Sequence, residues 1–195
     1  MRQYADMSHE VQGDILFTAT LPDPDHYIGG TVDFDETMPV IAFCRASATD
    51  TRRTILKEFS ICQVEPVASA VVCVAVVIDP TSRYVSGGEA ITPFSNRPGW
   101  TSLDAQATVS CWHGSAGSLG GIPEIACSAA NVNTRRIKLW TAPASAGNVV
   151  YVVPEGEAYI DATGSILIYV WLDEPSTNPV AFKWDAQILE RRTRS

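Results

Sequence analysis

Two closely spaced acidic pairs are the residues of this chain best suited to chemistry. Asp23 and Asp25 flank a proline, and Asp33 and Asp35 stand two apart in Thr-Val-Asp-Phe-Asp-Glu. In an extended segment, residues two apart point to the same side, so the carboxylates of Asp33 and Asp35 would lie together. Ca²⁺ takes about six to eight oxygen ligands, often from several segments. The two pairs therefore predict a Ca²⁺ site, with a solvated acidic loop as the plain alternative.

The chain carries no local signature of nucleophilic catalysis. Its histidines are His9, His26 and His113, and none stands in a pattern typical of a Ser-His-Asp triad. The glycine-rich stretch 113–121 is neither G-x-S-x-G nor a phosphate loop, because no Lys-Ser or Lys-Thr follows it. Paired glycosidase carboxylates need a spatial separation that spacing in the sequence does not fix. We therefore predict that the protein is not an enzyme.

Charge is distributed unevenly along the 195 residues. The formal net charge is −8, and residues 1–50 hold nine acidic side chains against two arginines. The last ten residues hold Arg191, Arg192 and Arg194 against Glu190. A strongly acidic surface disfavours non-specific binding of a phosphate backbone. Any contact with RNA is therefore expected to be local, at Arg191, Arg192 and Arg194, or mediated by cations, the alternative being a solvated basic tail.

Composition indicates one folded domain. Hydrophobic residues make up 46% and charged residues 18%, which excludes a disordered chain. No run of 18 apolar residues is present, so no membrane span is expected. The five cysteines lack C-x-x-C spacing and are predicted to be reduced, buried thiols. We divide the chain into an N-terminal arm at 1–12, a β-sandwich at 13–189 and a basic tail at 190–195.

The elements that position these residues are predicted to be β-strands. Residues 54–64 alternate between apolar and polar types, which indicates a strand with one wet face, whereas Val71–Ile78 is continuously apolar and indicates a strand covered on both faces. Trp112, Trp140 and Trp171 fall in strands and are expected in the core or an interface. Short helical turns are expected at 50–54 and 102–106. The predicted strands are 13–20, 38–47, 54–64, 70–78, 105–113, 135–142, 148–153, 165–172 and 180–189.

Strands at this spacing, separated by Pro- and Gly-rich turns, predict an all-β protein, an eight-stranded antiparallel jelly-roll sandwich with short helices in its loops. Three segments carry a resemblance to a family. They are 53–66 (RTILKEFSICQVEP), 70–80 followed by Thr81-Ser82, and 156–172 (GEAYIDATGSILIYVWL). Their order and punctuation over roughly residues 12–190 resemble the coat proteins of small icosahedral positive-strand RNA viruses. Among these, the tymovirus-like coat proteins are nearest in size and in lacking an arginine-rich arm.

The resemblance implies a capsid protein that assembles with copies of itself into an icosahedral shell around RNA. It implies a virion protein assembled in the host cytoplasm, with RNA held weakly or through cations and with no membrane partner. Ca²⁺ would lie at subunit interfaces, and the loop after Pro80, with Tyr84, Arg97 and Trp100, would meet neighbouring subunits. The acidic N-terminus departs from coat proteins that begin with a basic arm, which argues against packaging by such an arm.

Two other functions remain open from the sequence. A carbohydrate-binding, lectin-like β-sandwich would use Trp100 as a stacking platform and Asp33 with Asp35 as a Ca²⁺ site. A β-sandwich hydrolase would use a pair of Asp or Glu residues.

Overall fold

The alternating and continuously apolar runs of the sequence become strands. A computed structural model describes residues 15–21, 25, 27–46, 52–64, 70–96, 158–173 and 181–191, and describes residues 107–111, 118–119, 135–143, 149–152 and 192 as backbone. The strands are β1 Ile15–Thr20, β2 Ile28–Gly29, β3 Ile41–Ala46, β4 Arg52–Gln63, β5 Val71–Asp79, β6 Tyr84–Ser86, β7 Glu89–Ile91, β8 Phe94–Ser95, β9 Ala107–Cys111, β10 Ser118–Leu119, β11 Arg135–Pro143, β12 Val149–Val152, β13 Ala158–Ile160, β14 Thr163–Leu172 and β15 Ala181–Arg192.

The prediction of an all-β protein is confirmed, since the described residues contain no helix. Each of the nine predicted strands is present, with ends shifted by a few residues. The predicted helical turn at 50–54 is wrong for residues 52–54, which begin β4, while residues 50, 51 and 102–106 lie outside the described part. Strand β15 continues to Arg192, three residues beyond the predicted end of the sandwich. No helix in the described ranges is long and apolar enough to cross a membrane.

The strands form two large antiparallel sheets. The first sheet has the order β12-β4-β15-β1-β8, with β13 also paired to β4 and β2 to β15. The second sheet has the order β11-β5-β14-β3-β9-β7. Strands β6 and β10 form a separate two-stranded ribbon. A core of side chains from both sheets fills the space between them, including Phe17 of β1, Phe59 of β4, Val74 of β5, Ile168 of β14 and Phe182 of β15.

The central strands β3, β5 and β14 of the second sheet are covered on both faces, as their continuous apolar runs predict. In β5, Val72, Val74 and Val76 face the core between the sheets, while Ala75 and Val77 face the other way and are also buried. A second hydrophobic cluster lies on this opposite face. We call it the outer cluster, and it consists of Ala42, Cys44, Ala75, Val77, Leu167 and Tyr169, with Tyr84 and Trp171 packed against it.

A β-bulge in β4 alters the predicted alternation of that strand. Glu58 pairs with Gln187 and Leu56 with Ile188, so Lys57 is an extra residue in β4. A bulge changes which face the following residues point to. As a result Leu56 joins Phe59 in the core between the sheets, whereas Ile55, predicted on the same face as Phe59, does not belong to that core.

The cysteine prediction is only partly confirmed. Cys44 and Cys73 are buried free thiols, and burial raises the pKa of both. Cys44 donates to the Ser165 hydroxyl, with Sγ 3.3 Å from Oγ. The prediction is wrong for Cys62, which is exposed, because its position in β4 faces away from the core. The side chains of the other two cysteines lie outside the described part.

Candidate nucleic-acid interface

Strand register gathers arginines at one end of the two sheets. Arg53 lies opposite Arg191, and Arg52 lies opposite Arg192, where β4 and β15 end together. Arg45 lies near the end of β3 and is paired with Gly164 of β14. We call this the arginine-rich end, and its described arginines are Arg45, Arg52, Arg53, Arg83, Arg191 and Arg192. The backbone of Arg135 and Arg136 begins β11 at the same end, opposite Ile78 and Val77.

One of these arginines joins the two sheets through a buried ion pair. Arg45 belongs to the second sheet and Glu190 to the first, and their side chains are only 1% and 2% exposed. The Arg45 Nη1 donates to Glu190 Oε1 and to Thr54 Oγ1, each at 2.9 Å. Arg52 reaches the other oxygen of the same carboxylate at 3.5 Å. Because removing charges from water is costly unless they are paired, Arg45 and Glu190 depend on each other and hold the sheets together.

Arg53 occupies a different environment on the outside of the first sheet. Its Nε donates to Asp161 Oδ1 at 2.6 Å, and its guanidinium carbon lies 4.4 Å from the centre of the Tyr159 ring. A guanidinium at this distance over an aromatic ring is held by a cation–π contact. The Arg53 side chain is 34% exposed and that of Asp161 55% exposed. The pair is therefore fixed in orientation and still open to solvent.

Arg83 stabilises the turn that follows β5. Its Nε donates to Asp79 Oδ2 at 2.7 Å, and its backbone N–H donates to Ser165 Oγ at 2.7 Å. The Ser165 hydroxyl in turn donates to the carbonyl of Thr81 at 2.8 Å. Asp79 also accepts from the backbone N–H of Thr81. These bonds fix residues 79–83 against β14, which assigns Asp79 and Ser165 structural roles.

The arginine-rich end is positive although the whole chain is acidic. Five arginine side chains of the described part stand here against three described carboxylates, those of Asp79, Asp161 and Glu190, while the net charge of the chain is −8. Like charges directly opposite each other on paired strands are destabilising. Placing Arg53 opposite Arg191 and Arg52 opposite Arg192 therefore costs stability unless Asp161, Glu190 or an anionic partner compensates.

Asp33 and Asp35 lie at the opposite end of the sheets. Thr31 bridges to Trp171, near the end of β14 that is remote from Gly164. The acidic end, as we call it, includes Asp33, Asp35, Glu36 and Asp173, with Asp25 in the turn before β2. Along the ten residues of β14, at roughly 3.3 Å per residue, the two ends are about 30 Å apart. The charges of the described residues are thus separated along the strands.

The predicted Ca²⁺ ligands do not come together among the described residues. No group of three His, Cys, Asp or Glu side chains there could hold a metal ion. Instead Asp35 Oδ1 accepts from the backbone N–H of Thr37 at 2.8 Å and from its hydroxyl at 2.6 Å, which closes a turn. Asp33 is exposed. Asp23 lies outside the described residues, so a site that includes it stays a prediction.

A cleft of about 700 Å³ opens at the acidic end, lined by residues 30–36 and Met38. Phe34 is 42% exposed and packs with its ring centre 4.9 Å from that of Trp171 and 5.5 Å from that of Tyr169. The Tyr169 hydroxyl donates to the carbonyl of Glu36 at 2.9 Å, and burial raises its pKa. These contacts hold the segment over the outer cluster.

Of the three residues predicted at a subunit interface, Tyr84 lies in the described part of the chain. Tyr84 is half-buried in β6, packs against the outer cluster of its own chain, and donates to the carbonyl of Gly87 at 3.3 Å. Arg97 and Trp100 lie outside the described residues, as do Arg194 and Trp112. Trp171 packs on the outer cluster. Trp184, which the sequence left unassigned, is buried in the core, its ring 6.1 Å from that of Phe59.

The sequence contains a signal for the arginine-rich end in its three dibasic pairs. The arginine pairs Arg52-Arg53, Arg135-Arg136 and Arg191-Arg192 each stand at the end of a strand. Only the last pair was predicted to contact RNA. Because strand ends meet where strands pair, three dibasic pairs at strand ends indicate one shared basic surface.

Fold and site together define an all-β protein of two antiparallel sheets with one basic and one acidic end. A scan against models of known protein families gives no match, and a search of curated proteins finds none with significant similarity.

Proposed function

We propose that the protein is a viral capsid protein with an eight-stranded jelly-roll fold, which assembles with copies of itself into an icosahedral shell around RNA. The observation that carries the proposal is the nested pairing of eight strands taken in chain order, namely β1, β3, β4, β5, β11, β12, β14 and β15. The first pairs with the eighth, the second with the seventh, the third with the sixth and the fourth with the fifth.

Nested pairing of this kind describes one long antiparallel ribbon wrapped into two sheets. The first, eighth, third and sixth strands share one sheet, and the second, seventh, fourth and fifth share the other. Such double-sheet wrapping is typical of the jelly roll, which viral capsid and lectin domains both use, and it therefore supports the proposed fold. The remaining strands extend the edges of the two sheets. Since a fold alone does not define a function, the charged ends must decide between these classes.

The arginine-rich end supports the capsid function. Arginine binds phosphate groups with a planar, bidentate fork. Arg45 is buried in its ion pair, but Arg52, Arg53 and Arg191 are partly exposed and put positive charge on the surface of this end. RNA would lie against this end, and the acidic end would point away from it. Binding of RNA is then local and sensitive to salt, because each contact releases a counterion. The protein would function in a virus particle assembled in the host cytoplasm.

The lectin-like alternative is supported by the cleft at the acidic end. Phe34 offers an exposed aromatic ring beside the carboxylates of Asp33 and Asp35, and sugars bind through stacking combined with polar contacts. The cleft has no described basic residue in its lining, which disfavours RNA there.

Microscopy of the purified full chain tests the proposal. We expect negative-stain images to show uniform closed particles, and light scattering after size exclusion to give a single large species containing RNA. A monodisperse monomer at high protein concentration would contradict the capsid function. If that monomer bound sugars on a glycan array, and lost the binding on changing Phe34 to Ala, the lectin-like function would replace it.

Substituting the last two strand arginines should weaken RNA binding without weakening the fold. For the double variant Arg191→Gln/Arg192→Gln we expect the salt dependence of RNA affinity to fall by about one to two in the slope of log K against log salt, since each arginine on a phosphate contributes about one. The melting temperature should change little, because Arg191 is a partly exposed residue at the end of a strand and surface substitutions usually alter stability by less than about 0.5 kcal/mol.

The matched control is Lys57→Gln, which removes one positive charge at the exposed bulge of β4, away from the arginine-rich end. Fluorescence anisotropy of a labelled RNA at several salt concentrations gives the slopes, and calorimetry gives the melting temperatures. Equal slopes for both variants and the unchanged protein would exclude Arg191 and Arg192 from the RNA contact.

A further inference from the structure

We propose that Arg53, Tyr159 and Asp161 form a site for one unpaired base of single-stranded RNA, with a preference for guanine over uracil. The inference rests on the proposed function, since it assigns a partner contact within the arginine-rich end. Tyr159 lies in β13, directly beside β4, and pairs with Ile55, while Asp161 follows that strand immediately. The three side chains therefore meet on the outer side of the first sheet, next to Arg191.

The contact between Arg53 and Tyr159 supplies the stacking surface of the proposed site. The guanidinium carbon lies over the ring, 4.4 Å from its centre, so Tyr159 shields one side of the guanidinium. The Arg53 side chain is 34% exposed. Unpaired bases in RNA stack on aromatic rings and on the planes of arginine guanidinium groups. A base placed on Arg53 would complete a stack of ring, guanidinium and base.

Asp161 distinguishes this site from a phosphate contact. Its carboxylate lies 2.6 Å from Arg53 Nε, so the charge of Arg53 is already compensated and its attraction for phosphate is reduced. The carboxylate is 55% exposed and keeps acceptor capacity beside the platform. Guanine offers two neighbouring N–H donors on its Watson–Crick edge, which match the two oxygens of a carboxylate. Uracil offers a single N–H there between two carbonyl oxygens, which a carboxylate repels.

Arg191 supplies a phosphate contact that a single base would lack. It stands opposite Arg53 across the β4–β15 pair, so both side chains point to the outer face of the first sheet, whereas Arg52 points to the other face and contacts Glu190. A strand of RNA would thus place its backbone on Arg191 and one base on Arg53 and Tyr159. A duplex fits poorly, because its bases are stacked on each other and their Watson–Crick edges are occupied.

Binding of two short labelled RNAs tests the site, one of eight uridines and one with a single central guanosine. We expect the unchanged protein to bind the guanosine RNA at least about fivefold more tightly, and to bind a duplex of the same length more weakly. Tyr159→Leu should lose about fivefold or more of its affinity for the guanosine RNA, as removal of a stacking platform does. Tyr159→Phe keeps the ring and should bind like the unchanged protein.

Asp161→Asn is the decisive variant, because two explanations predict opposite results. If Asp161 reads the base, its replacement abolishes the preference for guanosine while the uridine RNA binds as well as before or better. If Asp161 only reduces the local positive charge, its replacement tightens binding of both RNAs by the same factor, which would overturn the inference. Circular dichroism of each variant verifies that the fold is intact.

The inference and the proposed function fail in distinguishable ways. Closed RNA-containing particles whose subunits bind both RNAs equally would overturn the base site and leave the capsid function in place. A protein that forms no particles and binds neither RNA at low salt would overturn both.

Discussion

Replacing Glu190 by alanine should destabilise the protein by about 3–5 kcal/mol, the cost of breaking a buried ion pair by removing one partner. Glu190 accepts from Arg45 at 2.9 Å, and both side chains are almost completely buried. Without the carboxylate, the Arg45 guanidinium remains between the two sheets as an uncompensated charge. Urea unfolding followed by tryptophan fluorescence gives the free energy of unfolding of the variant and of the unchanged protein, and their difference is the loss of stability.

The double variant Arg45→Met/Glu190→Leu tests whether the loss of stability comes from an unpaired buried charge. Buried ion pairs replaced as a whole by apolar residues are often neutral or stabilising, so the double variant should be more stable than Glu190→Ala and than Arg45→Met. Glu58→Ala, on the outer face of the first sheet, is the control and should change the free energy of unfolding by less than about 0.5 kcal/mol. Additive losses in the double variant would show that Arg45 and Glu190 are not energetically coupled.

The nine long strands could be predicted from the sequence because each is encoded locally. The apolar run Val71–Ile78 indicates a strand covered on both faces whatever its partners are, and Pro80 marks its end. The short strands β6, β7 and β8 after Pro80 could not be predicted, because strands of two or three residues carry too little periodicity. Strands β7 and β8 form where the longer strands β9 and β1 offer them hydrogen-bonding partners, and β6 forms only with the equally short β10.

The arginine-rich end required pairing information that no single segment contains. Arg45 and Glu190 are 145 residues apart, and their contact depends on two sheets packing in one particular alignment. The bulge at Lys57 shows how sensitive that alignment is, since one extra residue exchanges the faces of Leu56 and Ile55. Pattern in the sequence gives the faces of a strand, whereas its register depends on the whole sheet.

The proposed jelly-roll pairing also accounts for the gathering of arginines at one end of the strands. In the nested pairing, β3, β5 and β15 end, and β4, β11 and β14 begin, at the arginine-rich end, so each dibasic pair is brought to one surface. An arrangement in which only two of these strands met would leave the arginines dispersed. The basic surface therefore depends on the wrapping of the entire chain, and a shell protein could use it as one extended contact with RNA.

Truncating Leu167 and Ile168, adjacent residues of β14, should destabilise the protein by similar amounts. Both side chains are completely buried, Ile168 in the core between the sheets and Leu167 in the outer cluster. Each change to alanine should therefore cost about 2–5 kcal/mol, the range for large aliphatic residues in a packed core. A strand with one wet face would instead show a large cost at only one of the two positions.

The control Gln187→Ala lies on the outer face of the first sheet and should have little effect. Measuring the stability loss of Leu167→Ala at several protein concentrations also tests whether a neighbouring subunit covers the outer cluster. Phe34, Tyr84 and Trp171 of the same chain cover the outer cluster, so the loss should be the same at low and high protein concentration. A loss that grew with concentration would mean that a neighbouring subunit completes the cover, and that this face of the second sheet is an interface rather than an internal second core.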